Sequence, residues 1–422
     1  MELEHTVIEK AVLVGLNADC FKPEDTATYE TLDELEALLE TAGGFCVAKL
    51  LQNRHTPDPH SFIGEGKAQE LCELLQHTEA NMVIFDNDLS PSQIRALEEI
   101  TGVTVLDRSA LILDIFAQRA KTAEGRLQVE LAQYQYLLPK LSGMGASMSR
   151  LGGGIGTRGP GETKLETDRR HIRERIDRLR KELEEVRKVR GVQRERRMKN
   201  SVPVVALVGY TNAGKSTLLN QLTDAGIPAN NRLFDTLDTT TRRRKVSDHL
   251  EILLSDTVGF IAKLPHHLIK AFQATLEELQ YADLLLHVID ASDPERENHI
   301  AVVDRLIAQL AKPGVPVLRL YNKVDLLEDK SDIPVGKDDL TICARNGVGM
   351  EALLRRIEEI LTGQLHKLTL LLPYSEAGVL EILHRQAQVL STEYTAEGVQ
   401  VQTLCSTELA GRYGRYAVED GQ

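Results

Sequence analysis

Apolar runs alternate with amphipathic stretches along the first part of the chain. The runs have the length and composition of buried strands: AVLVGLN at 11–17, GFCVAKLL at 44–51, NMVIFD at 81–86 and VTVLD at 103–107. Tyr29–Ala42 and Pro91–Thr101 lie between them and have the spacing of amphipathic helices. IGEGK at 63–67 is typical of a helix start rather than of a phosphate-binding loop, whose spacing it lacks. The pattern predicts an N-terminal α/β domain with a parallel sheet over residues 1–107.

Residues 108–199 have the pattern of a helical hairpin. A helix is predicted over Arg108–Leu138, and a second, long helix over residues 166–199. Their apolar stripes are Leu127, Leu131, Tyr134 and Leu138 on the first helix, and Ile172, Ile176, Leu179, Leu183 and Val186 on the second. We expect the two stripes to pack together in an antiparallel arrangement. Between them, SGMGASMSRLGGGIGTRGPGETK has neither a helical nor a strand period and predicts an irregular functional loop.

From Val202 onward, apolar strands again alternate with helices. The strand-like runs are PVVALVG, EILLSD, LLLHVID, VPVLRLYNK and LTICA. They predict a doubly wound P-loop domain over residues 200–363, followed by a small C-terminal α+β domain over residues 364–422. The predicted fold class is therefore α/β multidomain, with an N-terminal α/β domain, a helical hairpin, a doubly wound nucleotide domain and a small C-terminal domain.

Composition limits the class of protein. The chain has 422 residues, 42% of them apolar, which is enough for more than one core. Five scattered cysteines without a C-x-x-C pair argue against a disulfide framework and against a zinc site. No apolar run approaches the roughly 18 residues of a membrane span, and the N-terminus is too polar for a secretory signal. We therefore expect a cytoplasmic protein without a membrane span. The expected oligomeric state is a monomer, for which neither length nor spacing provides an argument.

The charge distribution is uneven. The net charge is −13, yet residues 166–199 hold 14 Lys and Arg against 8 Asp and Glu. A solvated coiled coil would explain these charges, but their clustering near the end of the helix favours RNA contact. The glycine-rich loop is open to three interpretations: RNA contact, a second phosphate cradle or a passive linker. We predict RNA contact for seven residues of the hairpin: Arg150, Arg158, Lys164, Arg190, Arg194, Arg196 and Arg197.

A phosphate loop is the first motif that carries chemistry. G-x-x-x-x-G-K-S at 209–216 follows an apolar strand and precedes the helical STLLNQL, which is the context that this motif requires. Its backbone N–H groups wrap a phosphate, Lys215 reaches the β and γ phosphates, and Ser216 binds Mg²⁺. The predicted nucleotide contacts are Gly209, Tyr210, Thr211, Asn212, Ala213, Gly214, Lys215 and Ser216.

Two further motifs follow strands of the same domain. In Asp256-Thr257-Val258-Gly259, the carboxylate is placed to hold Mg²⁺ through water and the glycine amide to sense the γ-phosphate. In Asn322-Lys323-Val324-Asp325, the carboxylate can accept two hydrogen bonds from guanine, whereas adenine offers no such donor pair. The predicted ligand is therefore GTP, with GDP as its product.

Other segments are expected to complete the site. The threonine-rich stretch Phe234-Asp235-Thr236-Leu237-Asp238 is typical of a switch whose hydroxyl caps Mg²⁺, although several threonines compete for this role. Cys343-Ala344-Arg345 follows LTI, which places the Ala344 amide against guanine O6. Phe260 stands where many small GTPases have a glutamine that positions water, so no catalytic residue can be assigned. We expect slow hydrolysis until a partner orders the water.

These residues resemble the HflX-type GTPases, a family of ribosome-associated, translation-factor-related GTPases. The resemblance covers nearly the whole chain and is strongest in SPSQIRALE, VLDRSALILDIFAQRAKTAEGRLQVELAQ and GGGIGTRGPGETKLETDRR. It implies a GTP hydrolase that binds the large ribosomal subunit and its RNA, is stimulated by ribosomes, and splits or rescues stalled or hibernating ribosomes under stress. It also implies that Thr217 contacts phosphate, that Ser216 and Thr236 hold Mg²⁺, and that Cys343 to Arg345 complete the base pocket.

The chain departs from the pattern of this family at several positions. Asp235 adds a carboxylate beside Thr236, Cys343-Ala344-Arg345 replaces the usual SAK, and DTVGFIAKLP replaces DTVGFIRDLP. Phe260 and Asp235 keep open an alternative function: a slowly hydrolysing, GTP-dependent RNA-binding scaffold in ribosome assembly. Asn212 stands where some related GTPases hold an activating K⁺, which makes K⁺ a second candidate cofactor beside Mg²⁺.

Overall fold

The computed structural model describes residues 9–22, 25–148, 160–198, 202–223, 233–234, 240–247, 250–263, 277–327, 329, 333, 336, 338–363, 366–405 and 407–418. The chain forms two compact units, each built from separate segments. The first unit comprises Met1–Glu185, Asn230–Asp238 and Ile261–Gln273, and the second comprises Val186–Ala229, Thr239–Phe260 and Ala274–Gln422. The boundaries of the four domains suggested by the sequence stay a prediction.

A four-stranded parallel sheet is the core of the first unit. Its strands, in the spatial order β2-β1-β3-β4, are β1 (Lys10–Ala18), β2 (Phe45–Arg54), β3 (Met82–Phe85) and β4 (Thr104–Asp107). Three helices connect them: α1 (Tyr29–Ala42), α2 (Glu65–Thr78) and α3 (Pro91–Thr101). The helix starts follow local chemistry, since Thr28 caps α1 and Ser90 caps α3, each with a reciprocal side-chain hydrogen bond. The predicted parallel α/β arrangement is confirmed.

The helical hairpin differs from the prediction in two ways. The predicted single helix Arg108–Leu138 is wrong: α4 (Arg108–Arg119) ends at the extended residue Ala120, and α5 (Ala123–Met148) then begins where Oγ1 of Thr122 accepts a hydrogen bond from the Gly125 amide at 2.9 Å. The predicted irregular loop is also too long at both ends, because α5 extends to Met148 and α6 (Pro160–Met198) begins at Pro160. The predicted apolar seam is present: Leu131, Ile176, Leu179 and Leu183 are buried together, with Leu127, Tyr134, Leu138 and Ile172 against them.

A six-stranded sheet forms the centre of the second unit, in the order β10-β9-β8-β5-β7-β6. Its strands are β5 (Val204–Gly209), β6 (Thr240–Lys245), β7 (Glu251–Asp256), β8 (Leu284–Asp290), β9 (Val317–Asn322) and β10 (Asp339–Thr341), and its helices are α7 (Lys215–Thr223), α8 (Arg296–Leu310) and α9 (Met350–Gly363). The sheet is parallel except for β6, which pairs antiparallel with β7 and was not predicted. The predicted fold class, a doubly wound P-loop domain within an α/β multidomain chain, is confirmed.

The C-terminal part of the second unit is a three-stranded antiparallel sheet with two helices. Its elements are β11 (His366–Leu372), α10 (Ala377–Gln386), β12 (Gln388–Thr395), β13 (Gly398–Cys405) and α11 (Thr407–Tyr413). Leu370, Leu372, Leu383 and Val401 form its buried core. Across the described segments, no helix has both the length and the apolar content that crossing a membrane requires.

Candidate nucleotide site

The predicted phosphate loop lies between β5 and α7, at the carboxyl edge of the six-stranded sheet. Gly209 and Gly214 have positive φ angles of 155° and 98°. A Cβ atom on Gly209 would lie 2.2 Å from the carbonyl oxygen of Val288, and one on Gly214 would lie 2.2 Å from Nδ2 of Asn322. Both positions require glycine, because the backbone conformation and the neighbouring strands leave no room for a side chain.

The ammonium group of Lys215 is buried within this loop. Its Nζ donates hydrogen bonds to the carbonyl oxygens of Gly209, at 3.1 Å, and of Tyr210, at 2.7 Å. Burial lowers the pKa of Lys215 to about 8, although the negative charge of Asp256 acts in the opposite direction. A phosphate beside this ammonium group would favour its charged form, so the electrostatics of the site favour an anionic ligand.

Ser216 and Asp256 bring two side-chain oxygen atoms together beside the phosphate loop. Asp256 ends β7, which lies beside β5 in the sheet, and its Oδ2 accepts a hydrogen bond from Oγ of Ser216 at 2.9 Å. Oxygen donors of this kind suit Mg²⁺, which is bound in such sites by one or two protein oxygens together with phosphate oxygens and water. The pair therefore fits a magnesium ion shared with a nucleotide. Elsewhere in the described segments, no cluster of three or more His, Cys, Asp or Glu side chains could hold a metal ion.

The residues after Asp256 are held against the phosphate loop. Oγ1 of Thr257 donates to the carbonyl oxygen of Leu207 at 2.6 Å. The amide of Phe260 donates to the carbonyl oxygen of Gly209 at 3.1 Å, and the amide of Thr211 donates to the carbonyl oxygen of Phe260 at 2.7 Å. The phenyl ring of Phe260 is buried, and it has no group that could position a water molecule. The segment is therefore held to the phosphate loop and its strand by hydrogen bonds, but Phe260 offers no polar group for water activation.

Gly259 lies at the point of closest approach between this segment and the loop. A Cβ atom on Gly259 would lie 2.9 Å from Cγ2 of Thr211 and 3.1 Å from Nζ of Lys215. Only a residue without a side chain fits there, so the Gly259 amide is placed next to the group expected to bind the γ-phosphate.

Asn322 connects the phosphate loop to the predicted base pocket. Its Nδ2 donates to the carbonyl oxygen of Ala213 at 2.9 Å, and its Oδ1 accepts a hydrogen bond from the amide of Ala344 at 2.9 Å. One buried amide side chain thus fixes the segments predicted to bind phosphate and to read the base relative to each other.

The carboxylate of Asp325 lies at the mouth of the predicted base pocket. The Cys343 thiol donates a hydrogen bond to Oδ1 of Asp325 at 3.0 Å. This bond, together with the Asp325 backbone amide, lowers the pKa of Asp325, and burial followed by the interaction with Asp325 raises the pKa of Cys343. Asp325 is therefore ionised near neutral pH, which is the form that accepts two hydrogen bonds from guanine. Lys323 has a left-handed backbone, and its Nζ lies 2.6 Å from Oδ2 of Asp290.

The structure gathers most of the predicted nucleotide-site residues at one edge. Gly209–Thr217, Asp256–Gly259, Asn322–Asp325 and Cys343–Arg345 come together because β5, β7, β9 and β10 are parallel and end there. Asn212, the candidate potassium ligand, is exposed and has a φ of 61°. The individual roles of these residues stay predictions.

Phe234 belongs to the first unit, whereas these segments belong to the second. Its ring packs edge-on against Phe116, with ring centroids 4.7 Å apart, and the amide of the preceding Leu233 donates to Oγ1 of Thr41 at 3.2 Å. The predicted contact of Phe234 with nucleotide stays a prediction. Asp235, Thr236, Leu237 and Asp238 lie outside the described residues.

The structure describes only some of the seven residues predicted to bind RNA. Arg190 is half-buried on α6. Arg150 and Arg158 lie outside the described residues. The backbones of the remaining four belong to α6, and their side chains lie outside the described part: Lys164, Arg194, Arg196 and Arg197.

A buried cluster of charges in the first unit was not predicted. Nη1 of Arg108 donates to Oδ1 of Asp86 at 2.8 Å, and its Nη2 donates to the carbonyl oxygen of Ala262 at 3.2 Å and pairs with Glu34. The ammonium group of Lys263 pairs with Oδ2 of Asp86, which is fully buried. Burial lowers the pKa of Lys263, against the effect of Asp86. One member of this cluster had a signal in the sequence: Ala262-Lys263 follows DTVGFI, where the family pattern described above has RD.

Three protein-family models match the chain. Residues 29–117 match a model described as the N-terminal region of GTP-binding GTPases, and residues 119–197 match the middle region of the same group. Residues 204–323 match a model described as 50S ribosome-binding GTPase. Together they cover three of the four strands of the first unit's sheet, nearly all of the hairpin and most of the strands that form the nucleotide site.

Curated proteins are similar over nearly the full length. A GTPase HflX of Caldanaerobacter subterraneus is 46% identical over 97% of this chain and 94% of its own, and the GTPase HflX of Escherichia coli (strain K12) is 45% identical over 92% and 91%. Among solved structures, a GTP-binding protein of the archaeon Sulfolobus solfataricus in complex with GDP is similar over 84% of this chain and 99% of that chain, with 24% identity and a TM-score of 0.44.

Proposed function

This chain belongs to the HflX family of GTPases, and on that premise we propose that it binds the large ribosomal subunit and splits or rescues stalled or hibernating ribosomes under stress. The observation that carries the proposal is the match of residues 204–323 to a family described as 50S ribosome-binding GTPase. This description names a partner as well as an activity. The proposed reaction is hydrolysis of GTP to GDP and phosphate, stimulated by the ribosome.

The arrangement of Lys215, Ser216 and Asp256 around the phosphate loop supports this reaction. We propose that the phosphates bind to the backbone amides of Gly209–Thr217 and that Lys215 turns from its two carbonyl partners to the β and γ phosphates. Ser216 and Thr236 would hold Mg²⁺, with Asp256 acting through water. When bound, Mg²⁺ neutralises charge that develops on the phosphate oxygens.

The base site supports guanine specificity. We propose that Asp325 accepts hydrogen bonds from the N1 and N2 groups of guanine while the Ala344 amide faces O6. An adenine in this pocket would offer no such donor pair, so the carboxylate would gain no hydrogen bond from the base and would keep only water and the Cys343 thiol as donors. Asn322 keeps the pocket in register with the phosphate loop through its two hydrogen bonds.

Hydrolysis itself requires something more than the described side chains. Phe260 is buried and cannot order water, so we propose that docking on the large subunit supplies or positions the group that does so. The same observation favours a second candidate, a GTP-dependent RNA-binding scaffold in ribosome assembly whose hydrolysis is too slow to matter.

Multiple-turnover GTP hydrolysis distinguishes the two candidates. The rate is measured for the protein alone, with purified large subunits and with purified small subunits, and Lys215→Ala serves as the inactive control. We expect large subunits to raise the rate by at least about tenfold and small subunits to leave it unchanged. Tight binding to large subunits without any stimulation would support the scaffold and contradict the ribosome-stimulated enzyme.

A further inference from the structure

The edge strand β6 carries four consecutive cations, Arg242, Arg243, Arg244 and Lys245. Arg242, Arg243 and Lys245 are exposed, and Arg244 is half-buried. The chain as a whole has a net charge of −13, so this strand is a local reversal of sign. Such a concentration of positive charge on an acidic protein is typical of a binding surface for a polyanion.

The position of β6 at the edge of the sheet leaves three of its four cations exposed. The strand lies at the edge of the six-stranded sheet and, among the strands of the described segments, pairs with β7 alone, with Arg243 opposite Leu253 and Lys245 opposite Glu251. Because side chains alternate along a strand, Arg242 and Arg244 project from one face and Arg243 and Lys245 from the other. On each face the two cations are therefore about 6.8 Å apart, which corresponds to about two phosphate spacings along one strand of a nucleic acid.

The contacts of Arg242 and Arg243 are weak enough to be replaced by contacts with a ligand. Nη1 of Arg242 donates to the carbonyl oxygen of Thr241 at 3.3 Å, and Nη1 of Arg243 lies 3.4 Å from Glu251 with both side chains largely exposed. Exposed pairs of this kind contribute about 0 to 1 kcal/mol. A phosphate, which a guanidinium group can bind through two parallel hydrogen bonds, is a stronger partner.

We propose that β6 is an RNA-binding surface, through which the protein contacts backbone phosphates of ribosomal RNA in the large subunit. The proposal rests on the proposed function, since it specifies the surface by which that partner is held. The matched family whose description names the 50S ribosome spans residues 204–323 and thus includes β6 but not the hairpin. Edge strands also carry charges that prevent sheet-to-sheet aggregation, and this is the competing explanation.

The test compares two triple variants with equal loss of charge. Arg242→Gln/Arg243→Gln/Lys245→Gln removes the exposed cations of β6, and Arg305→Gln/Lys312→Gln/Arg355→Gln removes three exposed cations elsewhere in the second unit. Cosedimentation with purified large ribosomal subunits is measured over a KCl series. The β6 variant should bind about tenfold or more weaker at low salt, and its slope of log K against log salt should be shallower by about 2 to 3. The control variant should follow the parent protein, and GTP affinity should be equal in all three.

A charge-retaining variant separates lost charge from lost structure. Arg242→Lys/Arg243→Lys should keep the salt slope of the parent protein. If the parent protein does not sediment with large subunits at any salt, the proposed function is wrong. If it does and the β6 variant follows it at every salt, the strand only protects the sheet edge and this inference alone is wrong. The parent protein and the β6 variant are also compared on protein-free RNA of the large subunit. If these two proteins bind the RNA equally and differ only on intact subunits, the partner of β6 is a ribosomal protein and the RNA assignment is wrong.

Discussion

At the scale of single residues, burial and ligand binding have opposite effects on the charge of Lys215. Burial lowers its pKa to about 8, and a bound phosphate raises it again. Binding must therefore take up a proton once the pH exceeds about 8, whereas at pH 7 the ammonium group is already charged. Nucleotide affinity is in this way linked to pH through one side chain.

We expect GDP affinity to be constant below about pH 7.5 and to fall by up to about tenfold per pH unit above about pH 8. Lys215→Ala should bind GDP weakly because the loop loses the cation that faces the phosphates, and it should lose this pH dependence. Nucleotide titrations over the range provide the measurement. A parent protein whose affinity does not change up to about pH 9 would contradict the role of Lys215.

Asp325 allows a test of base recognition. Its carboxylate is ionised and oriented by the Cys343 thiol. Asp325→Asn should shift the preference from guanine to xanthine nucleotides by at least about tenfold, because the new amide complements a carbonyl group rather than an amino group. Competition titrations with GDP and XDP measure the shift, and Asp329→Asn is a control four positions further on. Retained guanine preference in Asp325→Asn would refute the assignment.

The nucleotide motifs could be located from the sequence because each combines special residue types with a strand boundary. Gly209, Gly214 and Gly259 occupy positions where a Cβ would collide with neighbouring atoms, so their spacing is fixed by geometry. The Asp86–Arg108–Lys263 cluster could not be found in this way. Its members are far apart in the sequence, and a charged residue near a strand end is more often solvated than paired.

At the scale of elements, a helix or strand was predicted correctly where its sequence has hydrophobic periodicity and was missed where this periodicity is absent or misleading. The helices Tyr29–Ala42 and Pro91–Thr101 have capping residues and amphipathic spacing, and the structure gives the same bounds. β6 was missed because TTRRRK contains no apolar residue, and it is a strand only through its pairing with β7. The break at Ala120 was missed because apolar residues continue across it with helical spacing.

The hairpin seam provides a prediction at this scale. Leu179 is fully buried between α5 and α6, whereas Val189 on the same helix is 59% exposed. Leu179→Ala should lower the free energy of unfolding by about 2 to 5 kcal/mol through lost burial and a residual cavity, and Val189→Ala by less than about 0.5 kcal/mol. Urea titrations followed by circular dichroism are suitable, since the chain has no tryptophan. Equal effects of the two variants would show that the seam does not stabilise the hairpin.

At the scale of the whole molecule, each compact unit contains pieces of chain that are distant in sequence. The first unit includes Asn230–Asp238 and Ile261–Gln273, and the chain enters it directly after Phe260. Within that unit, Phe234 packs on Phe116, and Lys263 pairs with Asp86. The segments on either side of the DTVG motif are therefore structural parts of different units, which local sequence patterns could not reveal.

The buried charges allow this arrangement to be tested. Asp86→Ala leaves Arg108 and Lys263 without their shared carboxylate and should lower the free energy of unfolding by about 3 to 5 kcal/mol. Lys263→Met should cost less, because Asp86 keeps Arg108 and the hydroxyl of Thr31 as partners. In the double variant the two effects should not add, since removing the carboxylate removes the partner of the lysine. Thermal unfolding of the four proteins gives the comparison, and strict additivity would show that the pair makes no energetic contribution.

The discontinuous make-up of the first unit also has a consequence for biosynthesis. A nascent chain emerges from its N-terminus, so Asp86 and Arg108 leave the exit tunnel long before Lys263 is translated. At translation rates of about 5 to 20 residues per second, the delay is roughly 10 to 30 s. During this time the Asp86 carboxylate lacks Lys263, and the ring of Phe116 lacks the ring of Phe234. The incomplete unit therefore exposes a defined surface to which a holding chaperone can bind. The protein thus completes its own N-terminal unit only late in its passage through a ribosome.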